Sequence, residues 1–290
     1  MKKSFVLSLF VVNFFIVCSL KSQTYTQDLV AFYPFNNSLS DITSFGNNAI
    51  GTNVTFVEDR NSKPFSSAYF NGNAKLEILD APQLKLYKNL TISFWIKPDN
   101  NKVQNLFSRT KYTTANNAYY GMSYGLSTAN TYSYGEGVSL WVNDTRDCRY
   151  NDNWTRFSTN QNVNSWTFVT AVISNASAKL YINGILNKEK SLKIDSISNC
   201  GVSDFIFGAN WSGDTRNFYG AIDDIKIYKK GLSSDEVLDQ YSKNDLVAYY
   251  PLNGDFNDKT DYQNHATSTE ISFVNDNCNN DKVAYFNGTS

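Results

Sequence analysis

Hydrophobic and polar residues alternate along several short segments of the chain, as they do in β-strands with one buried face. In the segment 91–97, Ile92, Phe94 and Ile96 occupy every second position. Segments of the same kind occur at 166–173, 179–182 and 221–228. Turn-forming residues separate such segments at intervals of roughly 8–12 residues, which is typical of a β-sandwich.

Two local motifs add detail to this pattern. Asn183-Gly184 follows the strand at 179–182 and predicts a type I′ hairpin, because both residues tolerate positive φ. Ser233-Ser-Asp-Glu236 is a capping box and predicts one short helix over 237–241. The expected fold is therefore all-β, an antiparallel two-sheet sandwich with one short C-terminal helix.

The chain contains an internal repeat. The segment 28–36 returns at 245–253, and the alignment continues with Asp41 matching Asp258 and Asn47 matching Asn264. The repeat predicts one domain at 23–244 and the start of a second at 245–290. A second unit of this length is too short to bury a sandwich core by itself, so we expect the chain to be a fragment of a longer tandem protein.

The N-terminus has the features of an export signal. Lys2 and Lys3 precede an apolar segment at 5–20, and Ser22 offers a small residue for cleavage. The apolar segment is shorter than the roughly 20 residues that a spanning helix needs. We therefore expect a signal peptide at 1–22, a secreted or cell-surface protein, and no stable membrane span after cleavage.

Export changes the interpretation of the cysteines. Cys18 leaves with the signal peptide, and an oxidising compartment would allow Cys148 and Cys200 to form a disulfide bond. The alternative is that both are buried free thiols. Cys278 has no evident partner.

Composition and charge narrow the partners. Of the 290 residues, 41% are hydrophobic and 18% are charged, which indicates a well-formed core. The formal net charge is −1, and no basic stripe is visible along the sequence. Nucleic acid is therefore not an expected partner.

Seven segments, in this order along the chain, resemble laminin G-like, concanavalin A-like jelly-roll domains of exported bacterial proteins. They are 31–36, 68–72, 92–97, 165–169, 179–184, 220–228 and 232–236. The resemblance implies two antiparallel sheets in a jelly roll, often with one calcium ion. It also implies binding of carbohydrate or protein, adhesion to surfaces, or a role as an accessory module of polysaccharide-degrading enzymes.

The resemblance suggests a structural calcium site. It implies that the turn around Asp41 and the residue Asp223 lie at one sheet end around the ion, with Asn47 as a further candidate ligand. Calcium takes carboxylate and carbonyl oxygens from irregular loops. The alternative is that Asp41 caps its turn and Asp223 accepts backbone hydrogen bonds.

Strand alternation adds an expectation about the two adjacent aspartates. It places Asp223 with Ile225 and Ile227 on the core side, where a carboxylate needs a partner or a cation. The same alternation places Asp224 on the opposite, solvated face.

Catalytic residues are not expected. The only histidine, His265, lies in the second unit, which excludes a Ser-His-Asp or Cys-His arrangement within the first. Glycosidases of the concanavalin-like fold carry a Glu-x-Asp-x-x-Glu strand, and no such segment occurs. Glu77 and Asp80 are three residues apart and would face opposite sides of a strand.

Two stretches, 112–134 and 141–157, combine aromatic residues with polar ones, as sugar-binding surfaces do. The candidate ligand-binding residues there and near 211 are Tyr119, Tyr132, Arg149, Asp152, Trp154 and Trp211. The alternative for each aromatic residue, including Trp141, is ordinary packing within the sandwich.

The sequence therefore favours a non-catalytic extracellular recognition module that binds carbohydrate, with a structural calcium ion. One alternative is a protein-binding adhesion or structural repeat of a surface protein. Another is an accessory domain of a polysaccharide-degrading glycoside hydrolase whose catalytic part lies elsewhere.

Overall fold

The computed structural model forms two compact units, Tyr25–Asp245 and one that contains Leu246–Ser290. It describes residues 25–111, 117–125, 137–145, 155–159, 165–197, 204–209, 216–244, 250–258, 265–268, 271–275 and 282–286. The division at residue 245 lies within one residue of the repeat boundary expected from the sequence. The expected signal peptide and all four cysteines, including Cys148 and Cys200, lie outside the described residues.

The first unit contains an eight-stranded antiparallel sheet, here called sheet A, with the order β13-β12-β11-β6-β15-β4-β3 and with β1 also paired to β15. Its strands are β1 (Leu29–Tyr33), β3 (Thr55–Val57), β4 (Ser67–Asn71), β6 (Leu90–Pro98), β11 (Thr167–Ser174), β12 (Ser177–Ile182), β13 (Ile185–Ser191) and β15 (Tyr219–Tyr228). The alternation of Ile92, Phe94 and Ile96 therefore lies at its centre, on β6.

The second sheet of this unit, sheet B, has seven strands in the order β10-β9-β8-β7-β14-β5-β2. They are β2 (Ile50–Thr52), β5 (Lys75–Ile78), β7 (Gln104–Lys111), β8 (Asn117–Gly125), β9 (Gly137–Val142), β10 (Thr155–Ser158) and β14 (Asp204–Phe207). All described pairings in both sheets are antiparallel. The expected all-β sandwich is confirmed.

The hydrophobic core lies between the two sheets. Phe94 on sheet A meets two rings of sheet B edge-on, with centroids 5.9 Å from Phe107 and 5.7 Å from Phe207. All three side chains are fully buried. Edge-to-face aromatic pairs add to the stabilisation from burial itself, so these rings join the layers.

Both local motifs form as the sequence predicts. Asn183 and Gly184 have φ of 49° and 77° at the turn between β12 and β13, as a type I′ hairpin requires. Helix α1 (Ser234–Asn244) begins after Ser233, whose N–H donates to Glu236 Oε2 at 2.8 Å. The Glu236 N–H donates to Ser233 Oγ at 3.2 Å. The capping box is confirmed, and the helix is longer than the predicted 237–241.

Helix α1 covers part of the outer face of sheet A, the face turned away from the core. Its Tyr241 ring lies 5.8 Å from Trp95 of β6 and 6.1 Å from Phe168 of β11. Ser93 Oγ donates a 2.7 Å hydrogen bond to Gln240 Oε1 of the helix. Among the described residues, no helix has the length and apolar character needed to cross a membrane.

A β-bulge interrupts β15 directly after Asp223. Asp223 lies opposite Trp95, and directly opposed residues in an antiparallel pair point to the same face. Asp223 is therefore on the outer face, whereas Ile225 and Ile227 lie in the core. The expectation that Asp223 shares their face is wrong, because the extra residue at Asp224, with φ of 50°, changes the alternation.

The second unit repeats local features of the first. Its hairpin of β16 (Ser272–Asn275) and β17 (Lys282–Tyr285) aligns with the β3–β4 hairpin. The Ala266 N–H donates to the Phe256 carbonyl at 3.0 Å, as Ala49 does to Leu39 at 3.0 Å. His265 occupies the position aligned with Asn48, and its Nδ1 accepts the N–H of Asp258. This histidine therefore serves in a turn.

Candidate functional site: the tyrosine patch

Five partly or fully exposed side chains cluster on the outer face of sheet A, beyond the part that helix α1 covers. We call this cluster the tyrosine patch, and its members are Tyr69, Asn71, Lys97, Asp99 and Tyr219. The strand register brings them together, since Tyr69 lies opposite Ala221, Ala221 opposite Lys97, and Tyr219 opposite Asn71. Tyr69 and Tyr219 are thus diagonal neighbours, a spacing of roughly 7–8 Å that large rings can bridge.

The Tyr219 ring rests directly on the backbone of Gly72. A Cβ atom at position 72 would come within 2.1 Å of Tyr219 Cζ, and Gly72 has φ of 79°. Glycine suits both requirements, the left-handed backbone and the close ring. The Tyr219 N–H donates to Gln104 Oε1 at 2.7 Å, and its carbonyl accepts the Asp99 N–H at 3.0 Å. The ring is therefore held in place although it is 44% exposed.

A hydrogen bond orients the second ring of the patch. The Tyr69 hydroxyl donates to Asp99 Oδ2 at 2.7 Å. This hydrogen bond, together with partial burial and the Asp99 charge, raises the pKa of Tyr69. The phenol therefore stays protonated and continues to donate to Asp99. Asn71 Oδ1 accepts the Asn73 N–H at 3.0 Å, which leaves its amide nitrogen as a donor.

The tyrosine patch combines the groups that saccharides use. Aromatic faces pack against the C–H faces of sugar rings, while carboxylates, amides and ammonium groups pair with sugar hydroxyls. The patch offers two rings, the carboxylate of Asp99, the amide of Asn71 and the ammonium of Lys97. Because the rings are already held, little side-chain entropy would be lost on binding.

Asp41, a predicted calcium ligand, is buried and organises its own turn. Its Oδ1 accepts the N–H groups of Phe32 at 3.0 Å and Thr43 at 2.9 Å. Its Oδ2 accepts the Thr43 hydroxyl and the Asn47 N–H, both at 2.9 Å. A carboxylate has about four acceptor sites, and the protein occupies all of them.

Asn47 is likewise committed to contacts within the protein. Its amide nitrogen donates to the Val30 carbonyl at 3.0 Å, and its backbone carbonyl accepts the Tyr33 hydroxyl at 2.5 Å. Its side-chain oxygen accepts a short hydrogen bond from Gln83. These contacts tie the turn to β1 and to the segment before β6.

Asp223, the other predicted calcium ligand, is paired with an arginine. Arg60 Nη1 lies 2.8 Å from Asp223 Oδ2, and Arg60 Nη2 lies 2.9 Å from Asp224 Oδ2. The Asp224 N–H donates to Asp223 Oδ1 at 2.8 Å. The expectation of a solvated Asp224 is wrong, because the bulge turns it into this buried ion pair. We call Arg60, Asp223, Asp224 and Trp95 the arginine cluster.

The residues at the predicted calcium positions do not fit a shared site as they stand. Asp41 has no acceptor position left, and Asp223 already contacts a guanidinium. Within the part of the chain that the structure describes, no group of three or more His, Cys, Asp or Glu side chains is placed to hold a metal ion. Calcium binding stays a prediction, and the alternative of a structural turn at Asp41 has direct support.

Burial shifts the pKa values inside the arginine cluster. Burial, and then the charge of Asp224, raises the pKa of Asp223 well above its ordinary range, against the opposing charge of Arg60. Burial alone would lower the pKa of Arg60, but the two aspartates outweigh it and raise that pKa. Arg60 therefore stays charged at any physiological pH.

The two carboxylates considered for hydrolysis have separate partners. Glu77 Oε2 lies 2.9 Å from Lys75 Nζ on β5. Asp80 Oδ1 lies 2.9 Å from Arg109 Nη2, and both of these side chains are buried. Each carboxylate is thus engaged in an ion pair.

Most of the sequence-predicted ligand residues lie outside the described residues. These are Tyr132, Arg149, Asp152, Trp154 and Trp211. Tyr119 lies on β8, and its side chain also lies outside the described part. Trp141 lies on β9 opposite Arg156 and is only 6% exposed, which agrees with the packing alternative.

Sequence reasoning missed the tyrosine patch. Alternation along β4 does place Tyr69 and Asn71 on the face opposite the buried Ala68 and Phe70. The pairing of that face with Tyr219 depends on the register between β4 and β15, which lie far apart in the chain. The alternation along β4 was readable from the sequence, but the position of Tyr219 beside it was not.

The family model of the concanavalin A-like lectin/glucanases superfamily matches residues 53–238, which is more than half of the chain. No curated protein matches the chain. Among solved structures, the chain is similar to domain 4 of AbnA, a GH43 extracellular arabinanase from Geobacillus stearothermophilus, in complex with arabinotriose. That match has 22% identity and a TM-score of 0.57, and it covers 73% of this chain and 97% of the other.

Two toxin structures show the same fold. The binding domain of botulinum neurotoxin serotype D/C has 14% identity and a TM-score of 0.61, over 87% of this chain and 59% of that structure. A structure of botulinum neurotoxin type C, whose cell entry depends on two ganglioside molecules, has 17% identity and a TM-score of 0.57, over 86% and 57%. At these identities the likeness concerns the fold alone. By its matching family model, the chain belongs to the concanavalin A-like lectin/glucanase superfamily.

Proposed function

We propose that the first unit is a non-catalytic carbohydrate-binding module of an extracellular protein, and that the tyrosine patch contacts the sugar. The observation that carries the proposal is the patch itself: two oriented, partly exposed tyrosine rings beside a carboxylate, an amide and an ammonium group. Membership of a lectin/glucanase superfamily and likeness to an arabinotriose-bound domain support the same chemistry.

The position of the patch also favours this function. On the outer face of sheet A, helix α1 and Arg60 cover the neighbouring Trp95, whereas the patch beyond it is exposed. Tyr219 rests on Gly72 yet stays 44% exposed, so part of its ring leaves apolar area in water that a ligand could cover. The ion pairs of Glu77 and Asp80 support a binding role over hydrolysis.

The likeness to domain 4 of an extracellular arabinanase favours one setting for this module. In that setting it is an accessory domain that holds a polysaccharide near a catalytic domain. The N-terminus has the pattern of a signal peptide, two lysines followed by an apolar segment, which supports export of the chain. The partner we propose is therefore a glycan met outside the cell.

A glycan array followed by titration tests the proposal. The mature chain should bind a subset of glycans, and Tyr219→Ala should weaken binding about 3- to 10-fold, as expected for the loss of one aromatic contact. Phe45→Ala is the matched control, because Phe45 is 47% exposed and lies outside the patch. It should leave the affinity unchanged.

Two results would count against the proposal. A blank array in the presence and absence of calcium would favour the alternative, a protein-binding adhesion repeat. If Tyr219→Ala leaves selective glycan binding intact, the protein binds carbohydrate, but the tyrosine patch is not the binding site.

A further inference from the structure

We infer that the paired carboxylates Asp223 and Asp224 form a cation site that the chain fills with its own Arg60. On this view a guanidinium, not a calcium ion, neutralises the predicted calcium ligand Asp223 in this protein. Removing that guanidinium should expose a latent site for a divalent or trivalent cation.

The β-bulge creates the site. Consecutive residues of a regular strand point to opposite faces, so two adjacent carboxylates would not normally meet one cation. Asp224 has φ of 50°, a left-handed conformation that aspartate tolerates better than most residues. As a result, Asp223 Oδ2 and Asp224 Oδ2 lie 2.8 Å and 2.9 Å from two nitrogens of the same guanidinium.

The surroundings match a buried cation site. The side chains of Arg60, Asp223 and Asp224 are only 11%, 3% and 10% exposed. The guanidinium carbon lies 4.7 Å from the centre of the Trp95 ring, so the indole face stabilises the positive charge from another side. Two carboxylates this close and this buried need a counter-ion if both are to stay ionised.

Arg60 lies in a turn that hydrogen bonds of the neighbouring Asp59 hold in shape. Asp59 Oδ1 accepts the N–H groups of Asn61 at 2.8 Å and Lys63 at 2.9 Å. The Asp59 N–H donates to the Lys63 carbonyl at 3.1 Å. These bonds fix the backbone of the connection between β3 and β4. Less conformational entropy is therefore lost when Arg60 pairs with the two aspartates.

A metal ion cannot share this position with Arg60. Oδ2 of each aspartate already contacts the guanidinium, and calcium takes six to eight oxygen ligands, so without Arg60 water would have to complete the shell that the two carboxylates begin. Arg60→Met keeps most of the side-chain volume and removes the charge. It leaves two buried carboxylates without a counter-ion, beside an indole that can transfer excitation energy to bound terbium.

Terbium luminescence excited through tryptophan tests the inference on the full mature chain. The wild-type chain should give no saturable emission that depends on Asp223. Arg60→Met should give saturable emission, and calcium should compete with a Kd on the order of 1 mM, as in weak extracellular sites. The emission should disappear in Arg60→Met/Asp223→Asn.

Arg109→Met is the matched control. Arg109 is also a buried arginine that contacts the Asp80 carboxylate and the Leu84 carbonyl, and Lys85 would remain near Asp80 as a counter-charge. Its removal should not produce terbium emission. Arg60→Lys, which keeps a positive charge, should also stay dark.

Thermal unfolding of the wild-type chain decides the question even if Arg60→Met does not fold. The inference expects the same midpoint in calcium and in chelator, or a difference that Asp223→Asn leaves unchanged. The inference would be overturned if chelator destabilised the wild-type chain and Asp223→Asn abolished that effect. Wild-type terbium emission that Asp223→Asn removes would overturn it as well. A folded Arg60→Met chain without emission would overturn the latent site.

Discussion

The outer face of sheet A carries two clusters built from the same kinds of group. The arginine cluster has an indole, a guanidinium and two carboxylates, and the tyrosine patch has two phenols, an ammonium group and a carboxylate. Their members lie two residues apart on β6, where Trp95 belongs to one and Lys97 to the other. The first cluster is buried beside helix α1, and the second is exposed.

Burial is what gives these similar groups different roles. In the arginine cluster each charge is removed from water and must find its partner inside the protein, so breaking a pair is costly. In the tyrosine patch the polar groups also reach water, so each contributes little to stability and can exchange water for a ligand. Residue type alone therefore does not distinguish a structural cluster from a binding surface.

The largest expected difference between the clusters is in stability. Arg60→Met should lower the free energy of unfolding by about 3–5 kcal/mol, because it leaves two buried carboxylates uncompensated. Lys97→Met, the counterpart in the tyrosine patch, should change it by about 0.5 kcal/mol or less. Urea denaturation of both variants measures this. Equal effects would remove the distinction between the two clusters.

The arginine cluster should also make stability depend on pH. The folded state raises the pKa of Asp223 above its ordinary value of 3.8, so the folded chain keeps that proton to a higher pH than the unfolded chain. Unfolding then releases a proton, and stability falls as pH rises from 3.8 toward the raised pKa. The slope contributed is at most about 1.4 kcal/mol per pH unit.

Urea denaturation at several pH values tests this dependence. In Asp223→Asn the contribution should vanish, so stability should rise with pH relative to the wild type over this window. A wild type and variant with parallel pH profiles would contradict the assignment to Asp223.

The smallest expected effect concerns the orientation of a ring in the tyrosine patch. Tyr69→Phe removes the 2.7 Å hydrogen bond to Asp99 and should change stability by about 0.5 kcal/mol or less. Affinity for a glycan should fall about 2- to 10-fold, because one hydrogen bond is worth roughly 0.5–1.5 kcal/mol. Calorimetric titration measures the affinity, and a large stability loss with unchanged affinity would make Tyr69 structural.

The features that depend on near neighbours in the chain were predictable. The alternation along β6, the hairpin turn at Asn183-Gly184 and the capping box at Ser233 each depend on residues within a few positions. The internal repeat was visible as well, and its aligned turns form the same backbone hydrogen bonds. In each case the physical cause lies within one short segment.

The alternation failed at Asp223 for a specific reason. A single extra residue in β15 changes which face every later side chain occupies. Nothing in the residues Ile-Asp-Asp-Ile marks that insertion, since β15 pairs with β6 throughout, with β4 before the bulge and with β1 after it. Both expectations about the two aspartates were wrong on this account.

By itself, the sequence determined the sandwich of strands, the hairpin, the helix and the family, because hydrophobic period and turn chemistry act locally. Only the tertiary structure decided which polar groups meet. Arg60 lies 163 residues from Asp223, and Tyr69 meets Tyr219 only through strand register. Such contacts depend on which strands pair and where a bulge falls, and these are set by packing of the whole core.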